Sequence, residues 1–305
     1  MTPYVQSVFT TALIYSLVTM GLYITLASGQ FSIAHGMLMG IGGYAGGIAS
    51  VQFRVPMILS LMVGAFTAAL FGVVMALVLR RTSGVLLATV TIAIGQGVSL
   101  TAANLNSLGG SQGYFGIPLT TNLAWASGTA LVGLVGLLVF RKTRLGLAML
   151  AAGRDETVAQ SIGISILKIR IWGFLLGGLL AGLGGVLLAH NNGLIEPSDL
   201  SFANEPLFFI FLMVGGLETP WGALFGSIGV WWLQELLRFG NSGQFLIFDQ
   251  ADRYWILGLV MVITVIVRPQ GILTRKPIVW NPTRRSFQLL GVLGLFRGRR
   301  SDNTS

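Results

Sequence analysis

Between residues 5 and 267 the chain is a succession of apolar runs, most of them close to bilayer length, joined by short polar segments. A hydrocarbon core about 30 Å thick needs roughly 20 apolar residues per helix at a rise of about 1.5 Å each. Lipid offers no partner to backbone N–H and C=O groups, so segments of this kind cross it as helices. The expected class is an all-α polytopic membrane protein with about 8–10 transmembrane helices, some of them interrupted. With 53% apolar and only 10% charged residues, the composition points away from a soluble fold.

The expected spans are residues 5–27 and 31–50, a third opening at Pro56 and ending at Arg80 and Arg81, then 85–103, 123–140 and 171–190. Three shorter runs follow at 207–217, 221–237 and 254–267. The first of these falls short of the roughly 17 residues a full crossing wants, so it reads as a half-helix or a tilted crossing. Basic residues gather at Arg80 and Arg81, in the 141–170 loop and from Arg268 onward, whereas 191–205 holds three acids and no base. Cytoplasmic loops carry the excess of Lys and Arg, which puts the N-terminus outside, the C-terminus inside and about nine crossings between them. The first run lacks a basic flank before it and is expected to stay as a helix.

The division expected is a transmembrane domain at 1–273 with a cytoplasmic loop at 141–170, then a basic cytoplasmic tail at 274–305. The net charge of +9 follows helix ends and this tail rather than a patch interleaved with aromatics, so no nucleic-acid partner is expected. Membrane lipid is the partner the tail suits, since its 287–296 apolar run is too short to span and is bracketed by arginines.

No Cys, GxxxxGK[ST] phosphate loop, HExxH motif or carboxylate pair within a span occurs, so no catalytic residue, metal or cofactor is expected. The first six spans carry no Asp, Glu, Lys or Arg in their interiors. A proton relay through the membrane needs such groups. A path lined by Gly, Ser, Thr and Gln suits small neutral or zwitterionic solutes and leaves energy to enter from outside the membrane part.

Two stretches bring glycine and polar groups into runs at membrane depth. One is 29–36, with Gln30, Ser32 and His35; the other is 215–222, with Gly215, Gly216 and Pro220. Interrupted helices survive in lipid only where protein or a water-filled path covers them, and paired interruptions point to a translocation path. His35 is the sole histidine, acid or base in the first fifty residues; it is either a neutral ring satisfied by a carbonyl or a path residue. Thr89, Thr91 and Gln96 in the fourth span carry the same pair of readings, back-bonded packing or path lining.

The 141–170 loop holds six basic residues and the chain's first two acids, Asp155 and Glu156. Leu147, Leu150, Ala151 and Val158 recur near helical spacing, with Arg154, Asp155 and Glu156 projecting between them, and Gly163 is a plausible C-terminal stop. A solvated connection is the plain reading. The sharper one is a surface offered to a soluble ATPase, with Gly153, Arg154, Asp155, Glu156 and Gly163 as the coupling residues.

An ordered set of motifs runs through the chain: Gly29-Gln30-Phe31-Ser32 with Gly36 and Gly40-Ile41-Gly42-Gly43-Tyr44; Leu87-Ala88-Thr89-Val90-Thr91 leading to Gly95-Gln96; Gly109-Gly110-Ser111-Gln112-Gly113; Arg144-Leu145-Gly146 and Gly153-Arg154-Asp155-Glu156 with Gly163-Ile164; Pro197-Ser198-Asp199-Leu200; Val214-Gly215-Gly216 with Trp221-Gly222; and Arg268-Pro269-Gln270-Gly271. In this order it resembles the permease subunits of binding-protein-dependent ABC importers for branched-chain amino acids, closest to the M-type of their two permeases. The chain departs from the family at Glu218, where a glycine is usual, and at Gln96, where an acid is common. The resemblance implies a fold of the ABC importer permease type in the bacterial cytoplasmic (inner) membrane. It also implies two cytoplasmic ATP-binding subunits gripping 153–163, a second permease subunit in a heterodimer, and an extracytoplasmic solute-binding protein docking on 104–122 and 191–205. The competing reading is a stand-alone facilitator or secondary carrier for small neutral solutes such as amides or urea.

Overall fold

A computed structural model describes residues 3–202, 205–239, 250–267 and 271. The basic tail and most of the Arg268-Pro269-Gln270-Gly271 motif therefore lie outside the described residues. The chain forms α1 (Pro3–Ala27), α2 (His35–Gln52), α3 (Met57–Val78), α4 (Gly84–Asn104), α5 (Leu123–Phe140), α6 (Arg144–Arg154), α7 (Glu156–Ser161), α8 (Ile166–Asn192), α9 (Glu205–Gly215), α10 (Pro220–Phe239) and α11 (Gln250–Val267). Its only regular strands among the described residues are β1 (Tyr114–Phe115) and β2 (Leu194–Ile195). The all-α class is as expected.

Among the described residues five helices, α1, α3, α4, α5 and α8, are long and apolar enough to cross a membrane. α9 and α10 together make a sixth candidate, bent by 114° at a break of a few residues. The short 207–217 run is thus a half-length helix followed by a sharp turn, the first of the two forms its length allows. The second expected span is interrupted as well: residues 29–34 are not helical, and α2 starts only at His35.

α8 is the central element, packed against α1, α2 and α3. Its glycines make this approach possible. A Cβ on Gly182 would meet the Gly64 carbonyl at 2.6 Å, and one on Gly178 would meet the Ala68 carbonyl at 2.6 Å. Gly21 and Gly177 face each other in the same way between α1 and α8, as do Gly42 and Gly182 between α2 and α8. Small residues that let backbones touch are how helices associate where lipid removes any hydrophobic gain from pairing. Tyr15 of α1 then packs edge-on to Phe208 of α9 and Trp231 of α10, at 5.7 and 4.9 Å between ring centres.

The bundle has two chemically different ends. At one end Gly153 packs on Ala27 and Gly29, and Arg170 bonds to the carbonyls of Arg80 and Thr82. That end gathers Arg80, Arg81, Arg141, Lys142, Arg144, Arg154, Lys168 and Arg170. At the other, Ser50 bonds His190 and the β1–β2 pair joins the two long loops, near Glu196 and Asp199. This segregation is the one the positive-inside rule requires.

Candidate functional site

At the basic end, residues 144–161 fold as two helices. Thr143 Oγ1 accepts from Gly146 N at 3.1 Å to start α6. α6 ends where Asp155 adopts extended backbone, and Asp155 Oδ1 then accepts from Thr157 N and Val158 N at 2.9 and 3.0 Å to start α7. The single helix expected from the apolar spacing is corrected here, because Asp155 interrupts it and resets the phase. Met149, Ala152 and Ala159 are buried, whereas Leu147 and Val158 from that spacing are exposed, as is Ile162. Gly163 closes α7 at φ +85°, in the left-handed region where glycine is at ease. Arg154 and Asp155 face outward.

Glu156 turns the other way. Its Oε1 lies 3.1 Å from Nη2 of the buried Arg170 on α8, whose Nη1 donates to the carbonyls of Arg80 and Thr82 at 3.0 and 2.7 Å. One guanidinium therefore ties α7 to α8 and to the α3–α4 corner. The carbonyl of Arg170 in turn accepts from Gln30 Nε2 at 3.3 Å, and Gln30 also donates to Ser28 Oγ at 2.8 Å. Gly153 touches the same connection from the α6 side, with its Cα 3.2 Å from where a Cβ on Gly29 would stand.

From Gln30 the polar contacts continue inward. Ser28 Oγ donates to Thr25 O at 2.7 Å, and Thr25 Oγ1 lies 3.1 Å from His35 Nε2. Thr91 Oγ1 accepts from Ile33 N at 3.0 Å, anchoring the break to α4. The first turn of α2 has no side-chain cap of its own at Ala34. Glu205, the first residue of α9, supplies one from across the bundle: its Oε1 accepts from Gly36 N at 2.5 Å. A carboxylate at a helix N-terminus satisfies free amides and complements the helix dipole. The polar side chains of the break, Ser28, Gln30 and Ser32, are thereby buried, while Gly29 and Phe31 stay exposed.

Gln30, Ser32, His35 and Thr91 are brought together at this break, all buried. Thr89 and Gln96 are not with them. They stand seven residues apart on the exposed face of α4, where Thr89 bonds back to the Val85 carbonyl at 3.0 Å. Gly215 and Gly216 pack against Gly222 and Gly226 and form the tight α9–α10 turn, with Glu218 exposed on it. The residue that meets the 29–36 stretch from this part of the chain is Glu205, at the start of α9. Glu205 was legible only as a loop acid, although an acid followed by proline and an unbroken apolar run is a helix-start signal. Arg170 counted only as one of six basic residues in its loop.

At the acidic end β1 pairs with β2 in antiparallel register, Tyr114 opposite Ile195 and Phe115 opposite Leu194. The loops 104–122 and 191–202 thus make one surface. Ser99 Oγ donates to Pro197 O at 2.6 Å, which fixes that surface to α4.

The chain is similar to curated transport proteins. It is 25% identical to the high-affinity branched-chain amino acid transport system permease protein LivM of Escherichia coli K12, over 87% of this chain and 68% of that protein. It is 28% identical to the probable branched-chain amino acid transport permease protein LivH of Methanocaldococcus jannaschii, over 50% of this chain and 47% of that one. A nucleoside ABC transporter permease, NupC of Lactococcus lactis, is 29% identical over 38% of this chain and 40% of its own. No solved structure matches. The family model described as branched-chain amino acid transport system / permease component matches residues 4–265. This match over nearly the whole chain, on a bundle of long apolar helices, places the chain in that family: it is a multi-pass membrane protein, a permease component of an ABC transport system.

Proposed function

We propose that this permease forms the translocation path of an ATP-driven importer for branched-chain or related small neutral amino acids, in the bacterial inner membrane. The observation that carries the reading is the bonded run from Glu156 through Arg170 to Gln30, which joins a cytoplasmic segment to the helix break at membrane depth. Displacement of α7 acts on Arg170 through the Glu156 ion pair, and the Arg170 carbonyl accepts from Gln30 at the break.

In this scheme two cytoplasmic ATP-binding subunits grip residues 153–163. The segment suits such a partner: Leu147, Val158 and Ile162 are exposed apolar side chains beside the charges of Arg154 and Asp155, the mixture found in docking surfaces. ATP hydrolysis takes place in those subunits. A second permease, making a heterodimer, closes the path against α4. An amide such as Gln96, exposed on a membrane helix, needs water or a partner, and Thr89 shares its face. A solute-binding protein delivers cargo to the surface built by β1 and β2. Residues 1–273 serve as the permease domain, and the basic tail at 274–305 rests on anionic lipid.

The test is reconstitution in liposomes with both ATPases, the second permease and the binding protein. Uptake of a branched-chain amino acid is expected only with ATP and binding protein together. Equal flux through this chain alone, without ATP, would instead favour a facilitator.

A further inference from the structure

Three buried polar atoms around the start of α2 have no hydrogen-bond partner among the described residues: Ser32 Oγ, His35 Nδ1 and Glu205 Oε2. Their residues are at most 2% exposed, and an orphaned polar atom in such a place is costly unless something pairs with it. Their residues lie close along the chain or across one hydrogen bond. Ser32 and His35 flank the Ala34 N-cap of α2, and the other oxygen of Glu205 is bonded to the amide of Gly36, the next residue on. His35 also touches Gly21, six residues before the end of α1, which sets the group roughly 9 Å in from that end.

The direction of the surrounding hydrogen bonds identifies what the three atoms can take. The Thr25 hydroxyl has one proton, and its acceptors are the carbonyls of Gly21 and Gly173 at 3.1 and 3.2 Å. Toward His35 Nε2, at 3.1 Å, the same hydroxyl accepts when its proton goes to a carbonyl, which puts the ring proton on Nε2, and donates when the ring proton is on Nδ1. A donor ligand selects the first of these tautomers, in which Nδ1 is a lone pair. A carboxylate oxygen only accepts, and a serine oxygen accepts as readily as it donates. Three acceptors, one of them a carboxyl group that a neighbouring cation would hold ionised, are the complement of a primary ammonium group with its three N–H donors and single positive charge. Capping of α2 alone explains Oε1 of Glu205 and leaves Oε2, Ser32 and His35 without a role.

We propose that Glu205, Ser32 and His35 form a site for the ammonium group of an amino-acid solute at the α1–α2 break. The assignment rests on the import reading and names the part of the solute that the path recognises. It places a charge requirement inside the permease, separate from whatever selects the cargo outside.

The experiment uses the complete importer in liposomes, a mixture of radiolabelled amino acids as the probe, and two readouts, ATP hydrolysed and label taken up. Glu205→Gln keeps an oxygen for the Gly36 amide but loses the charge. It should lower label moved per ATP at least about tenfold. Ser32→Ala removes one acceptor without touching the α2 cap and should lower label per ATP about threefold. It decides the matter alone if Glu205→Gln fails to assemble. Wild-type label per ATP in the variants that assemble overturns the site and leaves the import reading standing. Absence of ATP-dependent uptake by the wild type overturns the import reading, and the site with it.

Discussion

The guanidinium of Arg170 meets the carboxylate of Glu156 at 3.1 Å on one side and holds the carbonyls of Arg80 and Thr82 on the other. The two partners are not equivalent. Glu156 is about a third exposed, where ion pairs contribute about 0–1 kcal/mol. Arg170 is buried, and its loss strands two carbonyls at about 1–3 kcal/mol each. Arg170→Ala should therefore destabilise the detergent-purified chain by about 3 kcal/mol, and Glu156→Ala by under about 1 kcal/mol. Thermal unfolding followed by intrinsic Trp fluorescence checks the ordering. Equal losses would mean that the ion pair, not the carbonyl contacts, holds this corner.

Asp155 acts through geometry as well as charge. Because its Oδ1 caps α7, Asp155→Asn should behave nearly as wild type, whereas Asp155→Ala costs about 1 kcal/mol of α7. Binding-protein-stimulated ATP hydrolysis by the assembled importer should follow the cap: retained in Asn, several-fold lower in Ala. Arg154→Glu changes only the presented charge, and should abolish stimulation without altering the melting temperature.

Glycine positions separate into two groups. A Cβ on Gly42 or Gly185 would run into the backbone of Gly182 or Met39, while one on Gly97 or Gly128 meets nothing within 4 Å. Gly42→Ala and Gly185→Ala should each cost about 1–3 kcal/mol or more through overpacking. Gly97→Ala and Gly128→Ala should be neutral, or stabilising by up to about 1 kcal/mol as alanine replaces glycine inside a helix. Monodispersity and melting of the purified variants give the comparison.

Gly113 sits at φ +85°, and a Cβ there would meet the Ile195 carbonyl at 2.5 Å. Gly113→Ala should disrupt the β1–β2 pair and weaken the response to the binding protein, seen as a higher concentration for half-maximal stimulation. Basal hydrolysis, set at the opposite end of the bundle, should not change.

The all-α class, the bounds of the long apolar helices and the helix break after Gly29 were legible because each is written in local composition. The stop at Gly163 was legible for the same reason. What was not legible depends on contacts between distant residues. Asp155 was visible as a charge, but its capping role depends on the turn it makes. Glu205 is 169 residues from Gly36, and nothing in its neighbourhood marks it as the cap of another helix. Arg170 is 90 residues from the Arg80 carbonyl it holds, and it reads from sequence as one more positive-inside residue. The interruption at Gly215 and Gly216 was legible from a glycine pair before a proline, but its sharp turn depends on close contacts with Gly222 and Gly226.

Coupled transport requires the α1–α2 break to move in response to the ATPases. The chain has no native cysteine, so Ser32→Cys in the assembled importer reports on that break through a polar thiol reagent. Labelling should be negligible at rest, where Ser32 is fully buried, and should rise at least about tenfold while ATP is being turned over with loaded binding protein present. Labelling that is the same with and without turnover would contradict the account.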